Sequence, residues 1–209
     1  MPCPKGRIFY PESLMSAESI PSFPGRLAHD GVLNAAAKVR FLVLDVDGVC
    51  TDGKLYFQEN GHPVKCFHAQ DGLGIKTAMK AGMGVGIITG RSDPCVLARM
   101  SQLGVTEYHA GFESKLPKLE AIRRKYGLEW DEMAYVGDDW IDLDPMRTVG
   151  MPIAVANAVA QVKKEALYVT AARGGEGAVR EAIEFLLAAR MDGMNPADYW
   201  TAATGPATI

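Results

Sequence analysis

Phe41-Leu42-Val43-Leu44-Asp45-Val46-Asp47-Gly48-Val49, continued by Cys50-Thr51-Asp52-Gly53, is the stretch from which the rest of the 209-residue chain can be read. Four large apolar residues in a row predict a strand buried on both faces, as in the parallel sheet of an α/β domain. Asp45 and Asp47 follow at i, i+2, just where the apolar run stops. On an extended backbone that spacing aims both side chains the same way. They would crowd one another at the carboxyl edge of the sheet, where open α/β folds place their ligands. Two like charges that close are costly unless a cation lies between them or one stays protonated. Taken alone, the same residues also fit a strand that runs into an ordinary Asp-Gly turn. The remainder of the chain decides.

Working outward, Leu27, Leu33, Ala36, Ala37 and Val39 predict a helix within 26–40 that delivers the chain into this strand. Downstream, Leu55-Tyr56-Phe57 and Val64-Lys65-Cys66-Phe67 flank Glu59-Asn60-Gly61-His62. An Asn-Gly between two β-prone runs predicts a hairpin, a small flap over about 54–68. A helix capped by Asp71 is expected through Ile75, Ala78 and Met79 to Gly82. Val85-Gly86-Ile87-Ile88 is the second core strand and ends at Thr89-Gly90-Arg91. Asp93-Pro94 then opens a helix with Asp at N-cap and Pro at N1.

A short strand is expected near Glu107-Tyr108-His109, and a helix capped by Ser114 from Lys115 to Tyr126, closed by Gly127. Met133-Ala134-Tyr135-Val136 forms the next strand, ending in Gly137-Asp138-Asp139-Trp140-Ile141-Asp142. A helix follows to about Val149, with Gly150 at its C-cap. Pro152–Val155 and Tyr168–Thr170 are two further short strands around a helix, and Gly174-Gly175-Glu176-Gly177 leads into an amphipathic helix from Ala178 to Arg190. Strands alternating with helices predict an α/β, doubly wound, mainly parallel sheet in one domain over 26–190. Residues 1–25, with five prolines, read as a loose N-terminal extension, and 191–209 as an extended tail.

With 48% hydrophobic residues the chain can build a full core. A net charge of −3 offers no electrostatic reason for nucleic acid or an anionic membrane as partner. Cys3, Cys50, Cys66 and Cys95 are scattered, without a CxxC pair, which argues for reduced thiols over a disulfide frame or a zinc site. No apolar run approaches a membrane span, and the first residues lack the apolar core of a secretory signal. The expectation is a cytoplasmic protein.

Polar residues thus fall at the carboxyl ends of successive strands: Asp45 and Asp47, then Thr89, then Asp138, Asp139 and Asp142, with Lys115 opening an intervening helix. Phosphoryl transfer wants these types: an oxygen nucleophile, an acid/base, a hard divalent cation and fixed donors for the equatorial oxygens. Asp45 and Asp138 can share Mg²⁺, which favours carboxylate oxygen. In that order the motifs resemble the four of the haloacid dehalogenase superfamily, and most closely its 3-deoxy-manno-octulosonate 8-phosphate phosphatases. The resemblance rests on DVDGVxTDG at Asp45–Gly53, DGxGIK at Asp71–Lys76, IITGR at Ile87–Arg91, YVGDDxxD at Tyr135–Asp142 and GGxGAVRE at Gly174–Glu181, over about residues 34 to 190.

The resemblance implies a Rossmann-like phosphatase fold and a role for each matching residue. Asp45 would be the nucleophile and a Mg²⁺ ligand. Asp47 would protonate the leaving sugar oxygen, then activate water, and lend its backbone carbonyl to the metal. Asp138 would complete the protein ligands, while Asp139 and Asp142 hold the acidic loop. Thr89 and Lys115 would fix the phosphoryl group, with Gly48 and Gly90 letting backbone amides approach it. The sugar would meet His68, Ala69, Gln70, Asp71 and Gly72, together with Lys76, Arg91 and Arg99.

No gap between motifs is long enough for a cap domain, since 22 residues separate Lys115 from Asp138. Relatives close such sites by forming homotetramers, with the hairpin and tail bordering a neighbour's site. Tyr56, Phe57 and Phe67 suit that arrangement, as they also suit a hairpin packed on its own sheet. One departure concerns the sugar: His68-Ala69-Gln70 stands where the octulosonate enzymes commonly have Asn-Val-Arg, so a candidate carboxylate contact is lost. A phosphatase for a nine-carbon ulosonate 9-phosphate is therefore an alternative. The DxDG order and GDDxxD argue against a phospho-accepting receiver domain. Joint retention of Asp45, Asp47, Thr89, Lys115 and Asp138 argues against a noncatalytic assembly module.

Overall fold

The computed structural model describes residues 30–190 together with 197 and 198. Phe41–Leu44 forms β1, and all four side chains are buried. The reason is topological: β1 lies inside a six-stranded sheet with a parallel neighbour on each side. The remaining strands of that sheet are β4 (Gly84–Thr89), β5 (Glu107–Ala110), β6 (Met133–Gly137), β7 (Met151–Ala154) and β8 (Tyr168–Val169). Their order is β5-β4-β1-β6-β7-β8, and every pairing is parallel. The chain leaves β1 toward β4 and β5, then returns to the other side for β6, β7 and β8. That reversal beside β1 opens a crevice at the carboxyl ends of β1, β4 and β6, where doubly wound folds hold ligands.

The helices that flank the sheet fall into two groups. α1 (Asp30–Lys38) and α2 (Ala69–Lys80) pack on α7 (Ala178–Arg190), while α5 (Leu143–Thr148) packs on α4 (Leu116–Tyr126) and α6 (Ala160–Glu165). α3 (Pro94–Leu103) contacts α2. α7 buries Val179, Ile183, Phe185, Leu186 and Leu187, and the Phe185 ring stacks on Tyr168 at a centroid distance of 4.2 Å. Each such side chain removed from water contributes about 2 kcal/mol.

β2 (Tyr56–Phe57) and β3 (Pro63–Val64) form the antiparallel hairpin, separate from the main sheet. Between β1 and α2 the hairpin is the only β insertion among the described residues, and between Lys115 and Asp138 stand α4, a short 3-10 turn, Trp130–Glu132, and β6. Among the described residues no cap domain covers the carboxyl edge. The expected N-terminal extension and, apart from residues 197 and 198, the expected tail lie outside the described residues.

Two expected helix starts and one expected C-cap are corrected, while the expected N-cap position of Asp93 holds. α2 begins at Ala69 with His68 at N-cap, so Asp71 lies in the first turn. Its Oδ1 accepts the Arg180 backbone N–H at 2.8 Å and ties α2 to α7. Asp93 holds the N-cap position of α3 but makes no capping bond, because its carboxylate faces Lys65 and Arg91. Lys115, not Ser114, occupies the N-cap position of α4, and its side chain turns into the sheet edge. Val149, not Gly150, caps α5, and the Gly150 N–H donates to the Trp130 carbonyl instead.

Candidate active site

Asp45 continues β1 by one residue, its N–H donating to Val136 O at 3.1 Å, and its carboxylate is buried. The Lys115 ammonium, 0% exposed, lies 2.7 Å from Asp45 Oδ1 and 2.7 Å from Asp142 Oδ1. It pairs with Asp45 by distance without hydrogen-bond alignment, which leaves that oxygen without an in-line donor. Asp142 differs. Its Oδ1 accepts from Lys115 and from Tyr135 OH at 2.7 Å, and its Oδ2 from the backbone N–H groups of Asp138 and Asp139 at 3.0 and 3.2 Å. With four donors, Asp142 is saturated and shapes the loop. Asp139 caps the 3-10 turn Trp140–Asp142, accepting from the Trp140 N–H at 2.8 Å.

Glycine at 48 is required by this crowding. Gly48 has φ of +87°, and a Cβ there would lie 2.0 Å from Asp138 Oδ2. The missing side chain is the space that the Asp138 carboxylate occupies. Asp138 thereby approaches Asp45, and the two feel each other. Burial first, then the Asp45 and Asp142 charges, pushes the Asp138 carboxyl up to about 8. Burial, with the Asp142 charge, also raises Asp45 against the pull of Lys115. Burial alone would lower Lys115, but Asp45 and Asp142 outweigh it, so the net shift is upward and the lysine stays charged. For Tyr135, burial and then Asp142 push the hydroxyl well up, so it remains a donor.

Asp45, Asp138 and Asp142 each offer an oxygen within 4.8 Å of the others. Because Asp142 is already saturated, Asp45 and Asp138 are the pair with capacity for a cation. Two carboxylates held together, both raised by burial and proximity, fit a hard divalent ion that keeps several water ligands.

An open cleft of about 230 Å³ lies over these groups, lined by Asp45, Asp47, Thr89, Gly90, Arg91, Asp138 and Asp139. Thr89 is buried at the end of β4, and its Oγ1 accepts from the Arg91 N–H at 3.4 Å. Asp45, Asp47, Thr89, Gly90, Arg91, Asp138 and Asp139 are thus brought together, with Gly48 and Lys115 directly against them. The other sugar candidates are not on the cleft wall. His68, Asp71, Gly72 and Arg99 line a separate cavity of about 10 Å³ beside α2, too small for a sugar. Arg99 donates to Gln102 Oε1 at 2.7 Å. Ala69, Gln70 and Lys76 are exposed on α2.

Two residues at the site carry no motif signal. Asn157 donates to Gly48 O at 2.9 Å and accepts from the Gly174 N–H at 2.6 Å, clamping the loop after β1 to the glycine-rich segment before α7. A Cβ at Gly174 would lie 1.7 Å from Gly48 O, so the contact admits only glycine. Lys65, on the trailing leg of the hairpin, lies 2.5 Å from Asp47 Oδ1 and 2.8 Å from Asp93 Oδ2. Its place next to Val64 in a β-prone run marks a strand residue, and only the fold brings it to Asp47.

A haloacid dehalogenase-like hydrolase family model matches residues 111–183. The 3-deoxy-D-manno-octulosonate 8-phosphate phosphatase of Escherichia coli strain K12 is 42% identical over 159 residues, 76% of this chain and 85% of the relative. A crystal structure of the phosphatase of that name from Yersinia pestis superposes with a TM-score of 0.76 at 36% identity, covering 79% of this chain and 92% of that one. The Moraxella catarrhalis phosphatase, solved in complex with a magnesium ion, a phosphate ion and a KDO molecule, gives 0.78 at 34% identity over 84% of this chain and 99% of that one. At these identities and coverages, the chain belongs to the 3-deoxy-D-manno-octulosonate 8-phosphate phosphatase family of haloacid dehalogenase-like hydrolases.

Proposed function

We propose that the protein is a Mg²⁺-dependent phosphomonoesterase that hydrolyses a phosphorylated sugar acid, 3-deoxy-D-manno-octulosonate 8-phosphate, through an aspartyl-phosphate at Asp45. The observation that carries the reading is the approach of Asp45 and Asp138 under a cleft that also presents Asp47 and Thr89. Relatives named for this activity support it, one of them solved with Mg²⁺, phosphate and the sugar acid.

Asp45, Asp138 and the Asp47 backbone carbonyl would hold Mg²⁺, which when bound supplies Lewis-acid neutralisation of phosphoryl charge. An Asp45 carboxylate oxygen forms a bond to phosphorus as the ester P–O bond breaks. The electron pair leaves on the sugar oxygen, which takes the Asp47 proton. Water then attacks phosphorus and returns a proton to Asp47, and the bond to Asp45 breaks to give inorganic phosphate. Thr89 and Lys115, with backbone amides at Gly48 and Gly90, hold the phosphoryl oxygens. Arg91, on the cleft wall, suits an anionic sugar acid.

The hairpin exposes Leu55, Tyr56, Phe57 and Val64 at 56%, 42%, 59% and 41%, more apolar surface than a hairpin folded onto its own sheet would leave. This supports assembly into a homotetramer in which the hairpin borders a neighbouring site; we also take the enzyme to be cytoplasmic. A panel of sugar phosphates ranked by kcat/KM tests the substrate. The eight-carbon acid should lead; a hexose phosphate or nine-carbon acid ahead of it by about tenfold or more, 1.4 kcal/mol of transition-state discrimination, overturns the assignment.

A further inference from the structure

Asp47 is the one acid of the cleft whose carboxylate is held by an element outside the main sheet. Lys65 follows β3 and its side chain is 3% exposed, an unusual burial for a lysine. It stands between Asp47 Oδ1 and Asp93 Oδ2, at 2.5 and 2.8 Å, and the Arg91 Nε lies 3.5 Å from the same Asp93 oxygen. Four side chains, Asp47, Lys65, Asp93 and Arg91, alternating acidic and basic, thus run from the nucleophile loop through the hairpin to the loop after β4. Asp93 stands at the N-cap of α3 yet makes no capping bond there. A capping bond is worth about 1 kcal/mol, so the carboxylate forgoes local helix stability and faces the lysine instead.

A carboxylate on a loop has two oxygens and a freely turning bond, and proton transfer needs one oxygen aimed at the ester. With Oδ1 taken by Lys65, the second oxygen is the one left for the cleft that Asp47 lines. We propose that Lys65 is a positioning residue that fixes the rotamer of Asp47 for proton donation to the leaving group, so that the seating of the hairpin sets whether the acid is aimed. This rests on the assignment of Asp47 as the acid.

The step affected is the first: the bond from Asp45 to phosphorus forms, the ester P–O bond breaks, and the Asp47 proton moves to the departing oxygen. An alkoxide leaving group needs that proton, whereas 4-nitrophenolate leaves without it. The value of kcat/KM covers binding and this step and is free of the later hydrolysis of the phosphoenzyme. The test therefore compares kcat/KM for 4-nitrophenyl phosphate with that for the best sugar phosphate of the panel, in the full-length chain carrying Lys65→Met. The sugar phosphate should lose about 100-fold, the cost of a misplaced catalytic group, and the aryl ester less than about tenfold.

Lys65→Arg, which keeps the charge, should recover much of the sugar-ester rate. Equal losses on both esters, or none, overturn the proposal, because a lysine that merely seats the hairpin would not read the leaving group. If Lys65→Met does not fold, Asp93→Asn carries the same comparison, since it loosens the ammonium from its far side. A selective loss there supports the proposal and an equal loss overturns it. Asp47→Asn serves as the reference: if it shows no leaving-group selectivity, the assignment of the acid has failed rather than the role of Lys65.

Discussion

The two aspartates of the opening motif sit two residues apart and are held in opposite ways. Asp45 is embedded in the sheet: its N–H continues the β1 ladder, and its carboxylate meets a lysine and a loop whose donors and acceptors are all accounted for in Asp142. Asp47 is half-buried, and its ion pair comes from a two-stranded hairpin that stands apart from the main sheet. A nucleophile that must meet phosphorus in line gains from rigid neighbours. The proposed acid instead takes its partner from outside that sheet. The contrast separates a fixed half of the site, built into the main sheet, from a half held by the hairpin.

Substitutions should break the two halves differently. The largest effect is expected at Asp45, where Asp45→Asn should lower kcat by about 10⁴-fold or more, measured on any phosphomonoester, with the fold intact by circular dichroism. Lys115→Met should cost both activity and stability. It strips the common partner from two buried carboxylates, and chemical denaturation should show a loss of about 3 to 5 kcal/mol. Asn157→Ala should destabilise by about 1 to 3 kcal/mol, since Gly174 N–H and Gly48 O lose their shared partner.

Metal removal gives a pH signature of the fixed half. The Asp138 carboxyl is raised from 3.8 to about 8, by burial and then by Asp45 and Asp142. Between those values the folded state holds a proton that the unfolded state has released, so stability falls as pH rises through that window. In EDTA, Tm should therefore drop from pH 5 toward pH 8, and saturating Mg²⁺ should flatten the slope. A slope unchanged by Mg²⁺ would place the ion elsewhere. The smallest effect belongs to the half held by the hairpin: Phe57→Ser, at a side chain 59% exposed, should weaken the proposed assembly in sedimentation while changing unfolding free energy by less than about 0.5 kcal/mol.

The sheet was legible because its signal is local. Phe41–Leu44, Val85–Ile88 and Met133–Val136 are short apolar runs that end in polar residues, and burial on both faces leaves a parallel strand no other pattern. The glycine-rich entry to α7 was equally plain, since the helix begins at Ala178 as read from the chain. The start at Asp93 was read correctly, whereas Asp71 was misread because a capping residue and a residue with a distant partner look alike in sequence, and the cap at Ser114 was placed one residue early. Lys65 and Asn157 were invisible for a like reason: each meets the loop after β1 only once the sheet has formed, Asn157 from 109 residues away. Motif spacing pointed to the groups that line the cleft. It could not find those that hold them in place.

The measurement that bears most directly on Asp45 as nucleophile is rapid acid quench of the Mg²⁺-loaded enzyme during turnover, followed by mass spectrometry of the peptide containing Asp45. One phosphoryl group should appear on Asp45 before steady state, and none should appear in Asp45→Asn. Turnover without a phosphorylated Asp45, or a phosphoryl group that persists on that peptide in Asp45→Asn, would contradict the account.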